Sequence, residues 1–300
     1  MITIADILSF LDAEQISYTF QGDSACELNG FSSLGNYRMG TFTWIKKQES
    51  IPENMDLSQI ALVIASENVS VDTISNVIQT KESKRAFFAM IEHFYDEPEE
   101  RPAIGQFTYI GPKVKLGKDV RIGHNCTLDG DITIGDHTVI WNNVTIINRV
   151  SIGAYCEIQS GVIIGHTSLA FTENEHHEKT YIKHHGGVQI GDHVYVAKGT
   201  VIDRGTIDDT VVEAWCALDN KTVIAHNCRV GRGSTLTMQC VLGGSTQIGQ
   251  GCYLSHATAR EQTHIGDGAT VGMGSIVTRN VDAGQTVVGY PARPFLPGKK

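Results

Sequence analysis

From residue 104 onward, apolar side chains recur every sixth position: Ile104, Ile110, Leu116, Ile122, Leu128, Ile134, Ile140, Ile146, Ile152, Ile158 and Ile164. Glycine follows many of them, at 105, 111, 117, 123, 135, 153 and 165. The count resumes at Ile190, Val196 and Ile202 and takes a ten-residue step to Val212. It then runs through Leu218, Ile224, Val230, Leu236, Leu242 and Ile248 to Leu254, and reaches Ile265, Val271 and Val277 after a further step of eleven. A helix repeats near 3.6 residues and a strand every 2, so a period of six belongs to neither. It is the signature of a β-solenoid, in which each short strand is followed by a corner and every coil buries its inner side chains on the coils beside it. With three hexapeptides to a triangular coil, residues eighteen apart stack at roughly 4.8 Å. The pattern predicts a parallel β-helix over residues 102–281, broken by a polar insertion at 165–189.

The flanks follow other rules. Residues 1–101 show helical apolar spacing over Ile4–Glu14 and Ser83–Tyr95, and Ala61–Ala65 reads as a buried strand, which together predict a small α/β domain. Pro98 and Pro102 mark its junction with the solenoid. Residues 282–300 form a tail, Gly289-Tyr-Pro-Ala-Arg-Pro294 and Lys299-Lys300 included.

Composition narrows the function. The chain has 31 glycines, spread singly, and a formal net charge of −9. That charge argues against a nucleic-acid partner, because neutralising phosphates needs a basic surface. The N-terminal residues carry Asp6 where a signal peptide would be basic, and no apolar run is long enough for a membrane span. These features predict a cytoplasmic protein. Six of the seven cysteines (Cys126, Cys156, Cys216, Cys228, Cys240 and Cys252) lie two places before an inward apolar residue, at a position for a small core side chain. Buried free thiols are expected there, and no metal spacing is present.

Candidate chemistry concentrates between residues 200 and 231. His226 lies two residues past an inward position and faces outward near a corner, where a neutral imidazole can act as a base. Eighteen residues on stands Gly244, beside Gly243; a residue without a side chain is expected to leave room for substrate. The backbone of that glycine turn is a candidate oxyanion donor. Asp219, seven residues before His226, is the candidate to orient it. The insertion carries His166, His176, His177, His184 and His185, and loop histidines without a carboxylate or thiol framework read as solvated rather than metal-ligating.

Ile202-Asp-Arg-Gly205 and Ile224-Ala-His-Asn227, together with the repeat and the N-terminal domain, resemble the UDP-3-O-acylglucosamine N-acyltransferases. The resemblance implies a left-handed parallel β-helix, a homotrimer with active sites between subunits, His226 as the base that deprotonates a sugar amine, and Asp219 as its support. It implies Phe42 of Phe42-Thr-Trp-Ile-Lys-Lys47 as a nucleotide-base contact and His184 or His185 as a sugar contact; Trp44 in the same run reads equally as a base-stacking ring or as plain core. The family's second histidine falls on His256 or His264. The Asn and Tyr of the family's base-binding stretch are missing here, as are its C-terminal helices. In their place, Gly274-Ser-Ile-Val-Thr-Arg-Asn-Val-Asp-Ala-Gly284 and Gly289-Tyr-Pro-Ala-Arg293 resemble the ends of acetyl-CoA-dependent hexapeptide transferases, which implies Gly274, Arg293 and Lys299 as CoA contacts. The sequence thus points to an enzyme that moves a short acyl group from acyl-CoA to the amine of a dTDP- or UDP-linked amino sugar, with no tightly bound cofactor and no metal. One alternative is the lipid A enzyme itself, fed by acyl carrier protein. Another is a zinc hydrolyase of the γ-carbonic-anhydrase type, with His226, His256 and His264 meeting across subunits. A third is a non-catalytic scaffold.

Overall fold

The computed structural model describes residues 1–300 except 54, 72, 97–101, 292 and 295–300. Chain contacts divide it into two units, Met1–Glu99 and Glu100–Lys300.

In the first unit, helix α1 (Ile4–Ala13) is started by Thr3, which forms a capping box with Asp6. Helix α2 spans Ser83–Tyr95. A four-stranded sheet has the order Thr19–Gln21, Val77–Gln79, Leu62–Ala65, Phe42–Ile45, parallel except for its first pair. Leu62 to Ala65 are all fully buried, as a continuous apolar run in a strand covered on both faces should be.

The second unit is a parallel β-helix. Its coils have three faces, which we call A, B and C in the order the chain meets them. On face A, Leu128 pairs with Ile146 and Ile146 with Ile164; on face B, Ile134 pairs with Ile152; on face C, Ile140 pairs with Ile158. The eighteen-residue register follows from these pairs, and the inward residues from Ile122 to Val277 form one buried column. The first coil departs from the expectation. Ile104 is 49% exposed and Leu116 37% exposed, because they end the stack and no earlier coil lies over them. Ala259 holds the inward place skipped by the eleven-residue step: it pairs with Leu242 and Val277, and the coil is one residue short at its C–A corner.

The corners explain both the glycines and the cysteines. The third residue after most inward positions has a positive φ, yet it is often not glycine: Asn125, His137, Tyr155, His193, Trp215 and Asn227 all lie between 54° and 64°. The glycines one place after the inward residue serve another need. A Cβ on Gly123 would stand 2.7 Å from the Trp141 backbone of the next coil. The six cysteines are buried as expected. Most of them, Cys156 and Cys228 for example, donate to the carbonyl of the first corner residue one coil on, at 3.1 Å to Gly191 and Gly243. Thr138 and Ser234 do the same to Gly153 and Gly249, so the place selects a small donor. Burial raises the Cys216 thiol to about 11 and the Cys228 thiol to about 12, which keeps both protonated and inert.

Along the B–C corner the left-handed positions carry a ring ladder. His137, Tyr155, His193 and Trp215 stack at centroid distances of 4.9, 5.1 and 4.0 Å, nearly parallel.

At the A–B corner the strands Thr127–Ile134 and Thr145–Ile152 run through without a break. Gly130 permits this: its φ is +150°, and a Cβ would fall 2.0 Å from the Asn148 carbonyl oxygen. Gly130→Ala is expected to lower stability by about 2 kcal/mol or more, read as a drop in the midpoint of chemical denaturation, whereas Ala at Gly251, where nothing lies near, should cost less.

Candidate functional site

Three successive A–B corners build the candidate site. The first ejects the insertion 165–187, which carries the hairpin Phe171–Glu173 with Lys179–Tyr181. The second ejects the short loop 203–209, between Val201–Ile202 and Thr210–Val212. The third is a regular corner, and it holds His226 between Val223–Ile224 and Arg229–Val230. An insertion in a stack of fixed register can leave only at a corner, so both loops project beside the same edge.

His226 is half-buried, and its Nδ1 lies 3.1 Å from Asn227 Oδ1. The orientation of that amide is fixed independently. Asn227 Oδ1 accepts from the Thr206 N–H at 3.0 Å and from Thr206 Oγ1 at 2.7 Å, and its Nδ2 donates to the Asp208 carbonyl at 2.9 Å. Since Oδ1 can only accept, Nδ1 of His226 carries the proton. The lone pair then sits on Nε2, which is the state a general base needs. Asn227 was not singled out from the sequence; its signal was its place in Ile224-Ala-His-Asn227 and at the left-handed corner, where φ is 60°.

Gly244 serves a purpose other than the one expected. A Cβ there would lie 2.5 Å from His226 Nε2 and 2.6 Å from Cε1. The imidazole itself fills the space, so the glycine seats the base rather than the substrate. In the same turn the Gly243 N–H is spent on the Ala259 carbonyl, while the Gly244 N–H makes no hydrogen bond among the described residues and can receive an oxyanion.

His184 is fully buried, not at the open position expected of a direct sugar contact. Its ring meets His226 edge to face at a centroid distance of 5.5 Å, and its Nδ1 lies 3.4 Å from the Arg204 carbonyl. The carbonyl can only accept, so Nδ1 bears the proton, and Nε2 is left buried without a partner. Burial, opposed by the Arg204 carbonyl and reinforced by His226, holds the His184 pKa below its usual value. His185 is exposed on the return of the insertion, its N–H on the Thr206 carbonyl.

Asp219 does not reach His226 within the chain. It lies at the C–A corner, where its carboxylate accepts from the Asn220 N–H at 2.7 Å and the Met238 N–H at 3.1 Å. His256 stands at the same corner two coils on, its Nδ1 3.2 Å from the Met238 carbonyl. His264 is exposed on face B. Among the described residues no group of three or more His, Cys, Asp or Glu could hold a metal.

Phe42 is a correction: it is completely buried in the first unit, packed on Phe31, Phe87 and Tyr95, and offers no face to a nucleotide base. Trp44 is half-buried, stacked on Phe87 and donating to Ser83 Oγ at 3.0 Å. Gly274 occupies the C–A corner of the last coil with φ 70°. Arg293 pairs against Val288 and lines a cleft of about 260 Å³ with Arg279 and Asp282. Lys299 lies outside the described residues. No helix of the described residues is long and apolar enough to cross a membrane.

Comparison with known proteins agrees with the repeat. Residues 131–166 match the family described as bacterial transferase hexapeptide (six repeats), and residues 113–147 and 262–279 match the hexapeptide repeat of succinyl-transferase. The chain is similar to UDP-3-O-acylglucosamine N-acyltransferase 2 of Legionella pneumophila (strain Paris), at 40% identity over 148 residues, 49% of this chain and 43% of that protein. It is also similar to a probable mitochondrial UDP-3-O-acylglucosamine N-acyltransferase 2 of Arabidopsis thaliana, at 33% identity over 51% of each. The matched segments thus span about half the length of these relatives or less. The UDP-N-acetylglucosamine O-acyltransferase of Moraxella catarrhalis aligns with a TM-score of 0.60 at 24% identity, over 65% of this chain and 74% of that one. This likeness gives the helix its left-handed sense.

Two outcomes follow. Gly244→Ala should fold like the wild type yet displace the His226 ring, seen as a changed rate of His226 modification by diethylpyrocarbonate. Neutral His184 contributes stability that is complete above the usual imidazole value of 6.5 and is lost as pH falls below it toward the depressed folded value. Between about pH 8 and about pH 5.5 the melting temperature should therefore fall more steeply in the wild type than in His184→Phe.

Proposed function

We propose that this hexapeptide-repeat chain, similar over about half its length to UDP-3-O-acylglucosamine N-acyltransferases, transfers an acyl group from a thioester to the amine of a UDP-linked amino sugar. The observation that carries the reading is the tautomer of His226: Nδ1–H is fixed by Asn227 and Nε2 is free to accept a proton. The names of the relatives favour the alternative acceptor, of the UDP-3-O-acylglucosamine kind, over the broader reading of a dTDP- or UDP-linked amino sugar.

In this mechanism the amine nitrogen attacks the thioester carbonyl while His226 Nε2 removes a proton from it. The carbonyl π electrons pass to oxygen, and the Gly244 N–H receives the resulting oxyanion. Collapse re-forms the carbonyl and breaks the carbon–sulfur bond, and the leaving thiolate takes the proton back from the imidazolium. No acyl-enzyme forms; the cysteines of the repeat are buried and protonated. Asp219 and His256 share one corner and His226 and His184 another, so in a homotrimer the first pair would complete the site of a neighbouring subunit. Arg279, Asp282 and Arg293 line one cleft, and cationic residues there are compatible with the phosphates of CoA as the acyl carrier.

Mass spectrometry of end-point mixtures tests this. UDP-3-O-acylglucosamine and other UDP- and dTDP-amino sugars are each paired with acetyl-CoA, 3-hydroxybutyryl-CoA and long-chain hydroxyacyl carrier protein. An N-acylated UDP-sugar is the expected product, and the donor consumed identifies the carrier. His226→Ala should fold and assemble normally while losing about 10²–10⁴-fold in turnover; wild-type turnover in that variant would overturn the mechanism.

A further inference from the structure

Arg204 is 92% buried, its exposure being 8%, yet nothing in contact neutralises it. Its Nε donates to the Gly186 carbonyl at 2.7 Å, and its two terminal nitrogens make no hydrogen bond among the described residues. Its one acidic neighbour across the corner is already saturated. Asp209 Oδ1 accepts from the Gly187 N–H at 2.6 Å and from Arg149 Nη2 at 2.5 Å; Oδ2 accepts from Gln189 Nε2 at 2.6 Å and from Arg149 Nη1 at 3.1 Å. Arg149 thus shares the carboxylate of Asp209, and its repulsion opposes the attraction that Asp209 still exerts on Arg204. Asp203, next in sequence, is engaged by Ser168 Oγ.

A charge without an ion-pair partner and largely withdrawn from water destabilises the fold, and a bound anion would compensate it. Among the described residues the buried polar atoms without partners are Thr43 Oγ1, Tyr95 Oη, His184 Nε2 and Thr263 Oγ1. The terminal nitrogens of Arg204 are not among them, so they keep the side chain's remaining contact with solvent. The Nε contact with Gly186 places the side chain between the 203–209 loop and the return of the insertion. The Arg204 carbonyl touches His184, which touches His226.

We propose that the Arg204 guanidinium, backed by Arg149, binds a phosphate oxyanion of a substrate beside the His226 corner. The inference rests on the proposed acyl transfer only for the source of that phosphate: the diphosphate of a UDP-sugar or a phosphate of CoA. A planar fork with free N–H donors suits bidentate capture of phosphate oxygens.

Calorimetric titration of the full chain with inorganic pyrophosphate, UDP and CoA tests it without turnover. The wild type should bind at least one of the three, and Arg204→Gln should weaken that binding about tenfold or more. Weakened UDP binding assigns the acceptor, weakened CoA binding the donor. Ligand-free Arg204→Gln should melt no lower than the wild type, because a buried uncompensated charge has been removed. If that variant does not fold, Arg204→Lys, which keeps the charge but not the fork, should weaken the same ligand several-fold. Unchanged affinity in a folded variant, or no binding by the wild type, overturns the proposal. Acyl transfer is read in a separate assay, so its absence would fail the mechanism and leave the anion site standing.

Discussion

A coil of this helix has no core of its own; it has only the coils on either side. Backbone donors of one coil reach acceptors of the next, as from the Tyr109 N–H to the Cys126 carbonyl at 2.8 Å and from the Thr127 N–H to the Val144 carbonyl at 2.9 Å. The inward side chains stack in the same register. Shifting one coil by a residue would turn its apolar column outward. The register therefore stays fixed over the whole length, and every added or missing residue is absorbed at a corner. The two expansions and a two-residue shortening between Val277 and Val281 fall at one corner, and the deletion before Ala259 falls at another.

That constraint turns a rigid stack into a site. Two adjacent loops leave the A–B edge, and the next coil presents His226 just past them. The contact that gives the histidine its chemistry comes from the loop: Thr206 and Asp208 hold the Asn227 amide, and the amide holds the imidazole proton. The orienting group is neutral, so the corner sets the tautomer of the base without placing a carboxylate against it.

The fold was legible in the sequence because the period of six is a property of every coil, and neighbouring coils repeat it. The buried thiols and both helices of the first unit were legible for the same reason: each is a local pattern, whereas the expected insertion 165–189 took in Val188 and Gln189, which already pair in a strand. What the pattern left open was what lies between positions far apart in sequence. Gly244 was read as space and proved to be the seat of His226, since only the next coil shows which side chain lies over it. Asp219 was read as the partner of His226 on seven-residue proximity, but one strand separates the two corners. Phe42 lost its expected role to the core of a small unit, where a large apolar side chain in a central run is worth more buried than exposed.

The ring ladder on the B–C corner has an optical consequence. Trp215 is one of three tryptophans, and its indole lies 4.0 Å from the His193 imidazole at 11°. Face contact with a neighbouring ring alters the emission of an indole. The brightness of Trp215 is thereby tied to the spacing between two adjacent coils, and the protein carries an intrinsic fluorophore that reports when that part of the stack comes apart.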